Sequence, residues 1–325
     1  MPISVAAVVV TYNRKQLLIE CLDALLGQTR PLNKIILVDN ASTDDTQDAL
    51  QSRGYVSNPI VEYIRLPENT GGAGGFCEGL RQGHAAGYDW LWVMDDDAEP
   101  RKDALEQIYH LLSVQGIVGV ACLQIGMDGN PQYDHRGWVQ LCQDATKVLR
   151  PITDADLSRP ATAIDHASFV GIAISREAID EIGLPMHQFF IHYDDFEYCL
   201  RLRKVGQIIL VPGSVILHKS KSHADQSATQ IIKRRFLRES ARTPLDKLWI
   251  RYYGIRNLTW LRRRMCPAHK VIIFMLKNYA RWFLGVLIYD DHKFRRWLFF
   301  FYAFYDGWRG VFNNERPRKL LGLRW

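Results

Sequence analysis

The chain has 325 residues, 47% hydrophobic and 23% charged, which sets aside a disordered chain and leaves room for one large domain plus a smaller one. The net charge of +6 hides an asymmetry: residues 226–325 carry 22 Lys+Arg against 6 Asp+Glu, net +16, and residues 1–225 carry 19 against 29, net −10, so the two parts should meet different partners. Cys21, Cys77, Cys122, Cys142, Cys199 and Cys266 form no CxxC pair and no zinc-like spacing, and they predict reduced thiols in a cytosolic protein.

In chain order, the valine-rich run Ile3–Val10 predicts a buried parallel strand. It is too short, and lacks the preceding cations, to be a secretory leader. Lys15–Gln28 has helical spacing through Leu18, Cys21, Leu22 and Leu25. "KIILVDN" (Lys34–Asn40) predicts a second strand ending at Asp39, and Ser42 or Thr43 is placed to cap the helix after it. Val61–Asn69 reads as a third strand, "GGFCEGLRQGHAAG" leads into a helix, and "DWLWVMD" is a fourth strand. The alternation predicts βαβ units and a mostly parallel sheet with helices on both faces. Gln107–Gly126 continues the pattern, whereas 128–159 reads as loop-rich. Ala163–Pro185 reads as a strand, a turn and a short helix, the stretch from Phe189 as an extended entry to a helix, and "QIILVPGSVILH" as two short strands ending at His218. "KSKSHADQSATQ" (Lys219–Gln230) reads as a polar linker, and the remainder as helical, giving domains at 1–220 and 221–325. No run reaches the roughly 18 uninterrupted apolar residues of a membrane span.

Ligands of such sheets bind beyond the carboxyl ends of the strands. Polar groups collect there: Thr11, Tyr12, Asn13 and Arg14 after the first strand, Asp39 and Asn40 after the second, Asn69–Gly75 after the third, and Asp95–Asp97 after the fourth. Asp95 and Asp97, two apart on an extended chain, can reach one hard cation; taken alone they also fit a solvated strand end capping the next helix. "NTGGAGGF" (Asn69–Phe76) can bring bare backbone N–H groups to a ligand or be a flexible turn; it is neither a Walker A loop nor a dinucleotide fingerprint. Asp39 can accept from a base or ribose, or cap a helix. Asp194 and Asp195 open a helix, where the dipole favours them, or supply a general base. His218 alone is a surface or core histidine as readily as a ligand.

Taken in order, "VVVTYNRKQLL", "ILVDNASTDDT", "NTGGAGGF", "VMDDDAEP", "HYDDFEYCLRLRKVG" and "VPGSVILH" resemble family 2 glycosyltransferases of the GT-A fold, over about residues 3–220. The likeness is to the bacterial galactofuranosyl- and rhamnosyltransferases of cell-surface polysaccharide synthesis. The resemblance implies an α/β GT-A domain, Rossmann-like, followed by a helical, basic-aromatic region. By position it implies that Thr11, Asn13, Arg14, Asp39, Asn69, Gly71, Gly72, Asp95 and Asp96 bind the donor, with Gly71–Gly75 as a loop beside it. It implies Asp95, Asp97 and His218 as ligands of Mn²⁺ or Mg²⁺, Asp195 as the base, and Asp194 beside it to hold the acceptor. The full Asp95–Asp97 triad departs from the common Asp-x-Asp with a small middle residue and favours the galactofuranosyl branch.

In the tail, Lys270, Lys277 and Arg281 share one helix face within an otherwise apolar stretch, and "KFRRWLFFFYAFYDGW" repeats the mixture. That pattern fits helices at a membrane interface, a buried subdomain or a dimer contact; no nucleic-acid motif accompanies it. The resulting expectation is a metal-dependent, inverting glycosyltransferase. It takes a nucleotide-diphosphate sugar, UDP-galactofuranose ahead of dTDP-rhamnose, to a polyprenyl-linked glycan acceptor at the inner face of the cell membrane; a homo-oligomer is left open. Two alternatives stand beside it. A sugar-phosphate nucleotidyltransferase would want a lysine-bearing glycine loop where this chain has "TYNRK", and an inactive glycan- or membrane-binding scaffold would not need the Asp95, Asp97, Asp195 and His218 set.

Overall fold

The structure, a computed structural model, describes residues 2–143, 147–219 and 244–322. The chain divides into two units: Met1–Val139, Leu149–Phe190 and Asp194–Ser220 form the first, and Gln140–Val148, Ile191–Tyr193 and Lys221–Trp325 the second. Beyond Lys219, the polar linker read from the sequence lies outside the described residues.

In the first unit, the four apolar runs become β1 (Val5–Thr11), β2 (Lys34–Asp39), β3 (Val61–Arg65) and β4 (Trp90–Asp95). They alternate with α1 (Lys15–Leu26), α2 (Thr46–Ser52) and α3 (Gly71–Ala85). β1 pairs in parallel with β2 and β4, and β2 with β3. Next come β5 (Ala98–Pro100), α4 (Ala104–Tyr109), β6 (Ile117–Ile125), β7 (Arg136–Val139), β8 (Leu149–Pro151) and α5 (Asp154–Leu157). β9 (Thr162–Ile164), β10 (His166–Ala167), β11 (Ile172–Ser175), α6 (Arg176–Ile182), α7 (Asp194–Leu202) and β12 (Gln207–His218) complete it. The large sheet runs β3-β2-β1-β4-β11-β6-β12-β5, with β9 also on β12. β6 and β12 run with the first four strands, whereas β5, β9 and β11 run against their neighbours.

β1 shows why these runs carry no polar alternation. Val5, Ala7 and Val9 enter the core on one sheet face with Leu18 and Leu22 of α1, and Ala6, Val8 and Val10 enter the core on the other with Phe76 and Leu80 of α3. A strand buried on both faces must be apolar throughout.

Three local expectations change. The loop-rich 128–159 contains α5 and, through β7 and β8, most of a second, antiparallel sheet, β10-β7-β8. "QIILVPGSVILH" is one strand, β12, whose register against β6 shifts between Val211 and Val215 because Pro212 has no N–H to pair. Neither Ser42 nor Thr43 caps α2, which begins at Thr46 behind Asp45.

The second unit packs α8 (Leu245–Met265), α9 (Ala268–Tyr289), α10 (Lys293–Arg309) and α11 (Arg316–Leu321) around Leu248, Tyr252, Phe274, Val286, Phe299 and Phe304. The buried Asp306 carboxylate accepts from the Tyr252 hydroxyl at 2.6 Å and pairs with Arg316. Cys142 and Cys266, with Cα atoms 5.4 Å apart, form a disulfide, which corrects the expectation of six reduced thiols; Cys21, Cys77, Cys122 and Cys199 are free. α9 adds to the sequence reading: Ala268–Ile288 is by length and composition apolar enough to cross a membrane, although the run is not uninterrupted. Lys270, Lys277 and Arg281 concealed this from a reading that asked for an uninterrupted run.

Candidate active site

β-strand register places the first polar cluster. Thr11 is level with Asp39 across β1–β2, and Val10 with Asp95 across β1–β4, so three strands end together. There the buried Thr11 hydroxyl donates to Asp96 Oδ2 at 2.7 Å. Arg14, at the entrance to α1, sets one guanidinium nitrogen 3.2 Å from Asp96 Oδ1 and 3.0 Å from Asp97 Oδ2.

The partner of Asp97 comes from far along the chain. β5 pairs antiparallel with the end of β12, matching Ala98 with His218. His218 Nε2 thereby lies 3.4 Å from Asp97 Oδ1, a buried oxygen that accepts no hydrogen bond. Gln132 Oε1 lies 2.7 Å from the other ring nitrogen, and the His135 ring packs edge-on with centroids 5.5 Å apart.

Three adjacent carboxylates in a buried cluster cannot all ionise unaided. Burial, then the charges of Asp97 and Asp96, push Asp95 well above the usual carboxylate range. Burial raises Asp96 to about 6 against the pull of Arg14. Asp97 is also disfavoured by burial, but His218 and Arg14 outweigh this and hold it low. The donor set of carboxylates plus one imidazole, with the orphaned Asp97 oxygen beside His218, suits a hard divalent cation. Among the described residues, however, no three His, Cys, Asp or Glu are gathered for one ion. The expected Asp95, Asp97 and His218 set is thus joined only between Asp97 and His218, with Arg14 holding the second Asp97 oxygen.

α7 opens with two more carboxylates, Asp194 and Asp195, and the charge of Asp194 adds to the causes that raise Asp95, after burial and the charges of Asp97 and Asp96. Asp194 is buried, and burial followed by Asp195 pushes it up to about 8. Burial raises Asp195 to about 6, opposed by the Phe196 N–H, which donates to its Oδ1 at 2.6 Å, and by the Arg136 cation. Just before α7, Phe190, His192 and Tyr193 hold positive φ values of 65°, 69° and 66°, a strained approach of the kind found at functional sites.

Several expected donor contacts are occupied within the fold. The Asp39 carboxylate is fully buried; Oδ1 accepts from Ser42 N–H at 2.8 Å and Oδ2 from the Tyr63 hydroxyl at 2.7 Å. Asn13, with φ 55°, accepts on Oδ1 from Thr43 N–H at 2.7 Å and so ties the loop after β1 to that after β2. Asn69 Oδ1 accepts from Gly71 N–H at 2.8 Å. The glycine stretch is not a loop beside the cluster: Gly71–Gly75 are the first turn of α3. A Cβ on Gly71, with φ +75°, would meet Phe190 O at 2.0 Å, and one on Gly75 would meet Val10 Cγ1 at 2.5 Å, whereas one on Gly72 finds only Phe76 Cε2 at 4.0 Å.

The sequence reading missed Gln132, His135 and Arg136. Arg136 is fully buried and donates to Val170 O at 2.7 Å, Ser168 Oγ at 3.0 Å and Cys122 O at 3.1 Å. All three lie in the stretch read as loop, where no spacing signals them.

A family model described as glycosyl transferase family 2 matches residues 6–183. A galactofuranosyltransferase, GlfT1, of Mycolicibacterium smegmatis is 30% identical over 209 residues, 62% of this chain and 66% of that protein, just under two thirds of its length. The dTDP-rhamnosyl transferase RfbF of Shigella flexneri is 23% identical over 263 residues, 80% of each chain. Among solved structures, the Pyrobaculum calidifontis mannosyltransferase PcManGT in complex with GDP-Man and Mn²⁺ superposes with a TM-score of 0.51 at 18% identity, covering 93% of this chain and 86% of that one.

Proposed function

The chain belongs to glycosyl transferase family 2, and from that premise we propose that it is a metal-dependent, inverting glycosyltransferase of cell-surface polysaccharide synthesis. Its first unit has the GT-A arrangement, a large mostly parallel sheet with helices on both faces. The observation that carries the proposal is the Asp95–Asp97 cluster at the carboxyl end of β4, in which Asp96 and Asp97 are buried, countered by Arg14 and His218 and feeling the charge of Asp194.

Asp97 and His218, with Asp95, would hold the cation, whose chemistry there is to neutralise negative charge developing on the diphosphate leaving group. Asp96, fixed by Thr11 and Arg14, faces the donor. Asp195 takes the proton of the acceptor hydroxyl as its oxygen attacks the anomeric carbon and the nucleoside diphosphate departs from the opposite face. Asp194, protonated over most of the neutral range by its raised pKa, donates a hydrogen bond that orients that hydroxyl. The single displacement inverts the anomeric centre.

The proposed donor is UDP-galactofuranose, in keeping with the full carboxylate triad and the similarity to GlfT1. A dTDP-rhamnose donor is the second reading, favoured by the 80% mutual coverage with RfbF. The proposed acceptor is a polyprenyl-linked glycan at the cytoplasmic membrane face. Support comes from α9, where Ile272, Ile273, Leu276, Phe283, Leu284, Leu287 and Ile288 are exposed. At 3.6 residues per turn they span about half the circumference, with Lys270, Lys277 and Arg281 at one edge. An apolar hollow of about 390 Å³ adjoins this surface, lined by α9 and α10.

The test is turnover: full-length protein with Mn²⁺, a panel of nucleotide sugars and lipid-linked acceptors, read as nucleotide release and product mass. Transfer from UDP-galactofuranose is expected; transfer from dTDP-rhamnose alone replaces the donor, and transfer from none removes the proposal.

A further inference from the structure

Phe169 sits at the tip of a tight turn, in which Val170 N–H donates back to Ser168 O at 2.7 Å. Two buried side chains grip that turn. Gln124 Nε2 donates to Ser168 Oγ and to Val170 O, each at 2.9 Å. Arg136 takes the same two oxygens, Nη1 to Ser168 Oγ at 3.0 Å and Nη2 to Val170 O at 2.7 Å. It is anchored in turn through Nε to Cys122 O at 3.1 Å and Nη1 to His135 O at 2.9 Å. All of these acceptors are uncharged. A neutral amide is enough to hold such oxygens, as Gln124 shows, whereas burying a cation adds a desolvation cost. Burial lowers the Arg136 guanidinium only to about 10, so the charge is kept at neutral pH. Gripping the turn does not account for that charge.

Helix geometry brings Asp195 to it. Asp195, Tyr198 and Cys199 share one face of α7, because residues three and four apart are neighbours on a helix. Cys199 Sγ donates to Ala167 O at 3.3 Å, and Ala167 is the β10 residue opposite Arg136. The Tyr198 ring packs edge-on to Phe169 with centroids 5.9 Å apart. That face of α7 therefore lies over the turn, and there the Arg136 cation and the Phe169 N–H both favour the charged form of Asp195. Of the other titratable groups on α7 and β10, burial keeps Tyr198, Cys199 and His166 neutral, and Glu197 is paired with Arg201. Asp194, which opposes ionisation of its neighbour, and Arg136 are the charges left to set it.

We propose that Arg136 is a positioning residue for the reaction: it clamps the Ser168–Val170 turn beneath α7, so that Phe169 N–H and a buried positive charge both attend the Asp195 carboxylate. The proposal rests on the reading of Asp195 as the base, but its first measurement needs neither metal nor sugar.

Full-length protein with ¹³C-labelled aspartate carboxyls and ¹⁵N-labelled backbone and arginine nitrogens is titrated by NMR from about pH 4 to about pH 9, with Asp195 assigned through Asp195→Asn. In wild type the Asp195 carboxyl should titrate near pH 6, and the Phe169 amide proton and the Arg136 Nε–H should move with the same midpoint. Arg136→Met should raise that midpoint by about one unit or more, and Arg136→Lys, which keeps the charge, should stay near wild type. A folded Arg136→Met protein whose Asp195 titrates as in wild type, or an Arg136→Lys protein displaced as far as Arg136→Met, overturns the proposal. Should Arg136→Met fail to fold, wild type decides alone: Phe169 and Arg136 signals that do not follow the Asp195 midpoint overturn it equally. With Mn²⁺, UDP-galactofuranose and a lipid-linked acceptor, the acid limb of kcat/KM should move with the midpoint. A midpoint that moves while the limb stays in place overturns the reading of Asp195 as the base, and leaves the hold of Arg136 on its carboxylate standing.

Discussion

Asp194 and Asp195 are neighbours in one helical turn, yet burial and their mutual repulsion separate them, to about 8 and about 6. Only an ionised carboxylate can accept the acceptor proton. If Asp195 is the base, kcat/KM rises as pH rises through about 6 and levels above it. Asp195→Asn should lower kcat by about 10²–10⁴-fold while nucleotide-sugar binding by calorimetry stays intact; an active variant with an unchanged pH profile removes the assignment. The same pair bears on stability with a definite sign. Both folded pKa values lie above the usual carboxylate value, so the folded state binds the extra protons, and the pair's contribution declines between about pH 4 and 8. At this scale, the Asp95–Asp97 run and Asp194–Asp195 were legible because each is contiguous and sits at an element end. Gln132 and Arg136 were not, because a lone Gln or Arg in an irregular stretch carries no spacing signal until distant strands bring it into place.

Among the elements, α3 is the instructive case. Its glycines invite a loop reading, since each costs about 1 kcal/mol in a helix relative to alanine. The helix forms because Gly75 and Gly79 leave room for β1: Cβ atoms there would lie 2.5 Å from Val10 Cγ1 and 2.3 Å from Val8 Cγ1. Gly79→Ala weighs the two effects against each other. The gain in propensity is about 1 kcal/mol, whereas overpacking a close-fitted core costs about 1–3 kcal/mol. The substitution should therefore lower the urea midpoint, and a raised midpoint would show that β1 and α3 can move apart freely. The strands and α1, by contrast, were readable from periodicity alone, since their apolar patterns match their burial.

For the whole molecule, each unit has its own core, and the basic residues concentrate in the part that contributes the second. The exposed arc of α9 gives that unit an apolar surface edged with cations, the composition of an interfacial helix. Leu276→Glu with Leu284→Glu changes two side chains that are 65% and 53% exposed, so the core of the unit is left alone. Flotation with anionic vesicles should fall several-fold in this variant, and binding of wild type should weaken with salt. Equal flotation of both proteins would assign the arc to another partner.

The sequence by itself determined the βαβ order, the strand ends that carry Thr11, Asp39 and Asp95, and the family, because these are local patterns of apolar period and adjacent polar residues. It also placed a basic, aromatic, helical tail after them. Only the tertiary structure decided that His218 meets Asp97, that Gln132 addresses its far nitrogen, that Asp39 is sealed by Tyr63, and that Cys142 is bonded to Cys266. Each of those joins residues between 24 and 124 positions apart, set by sheet register and packing in three dimensions, where no local pattern records the pairing.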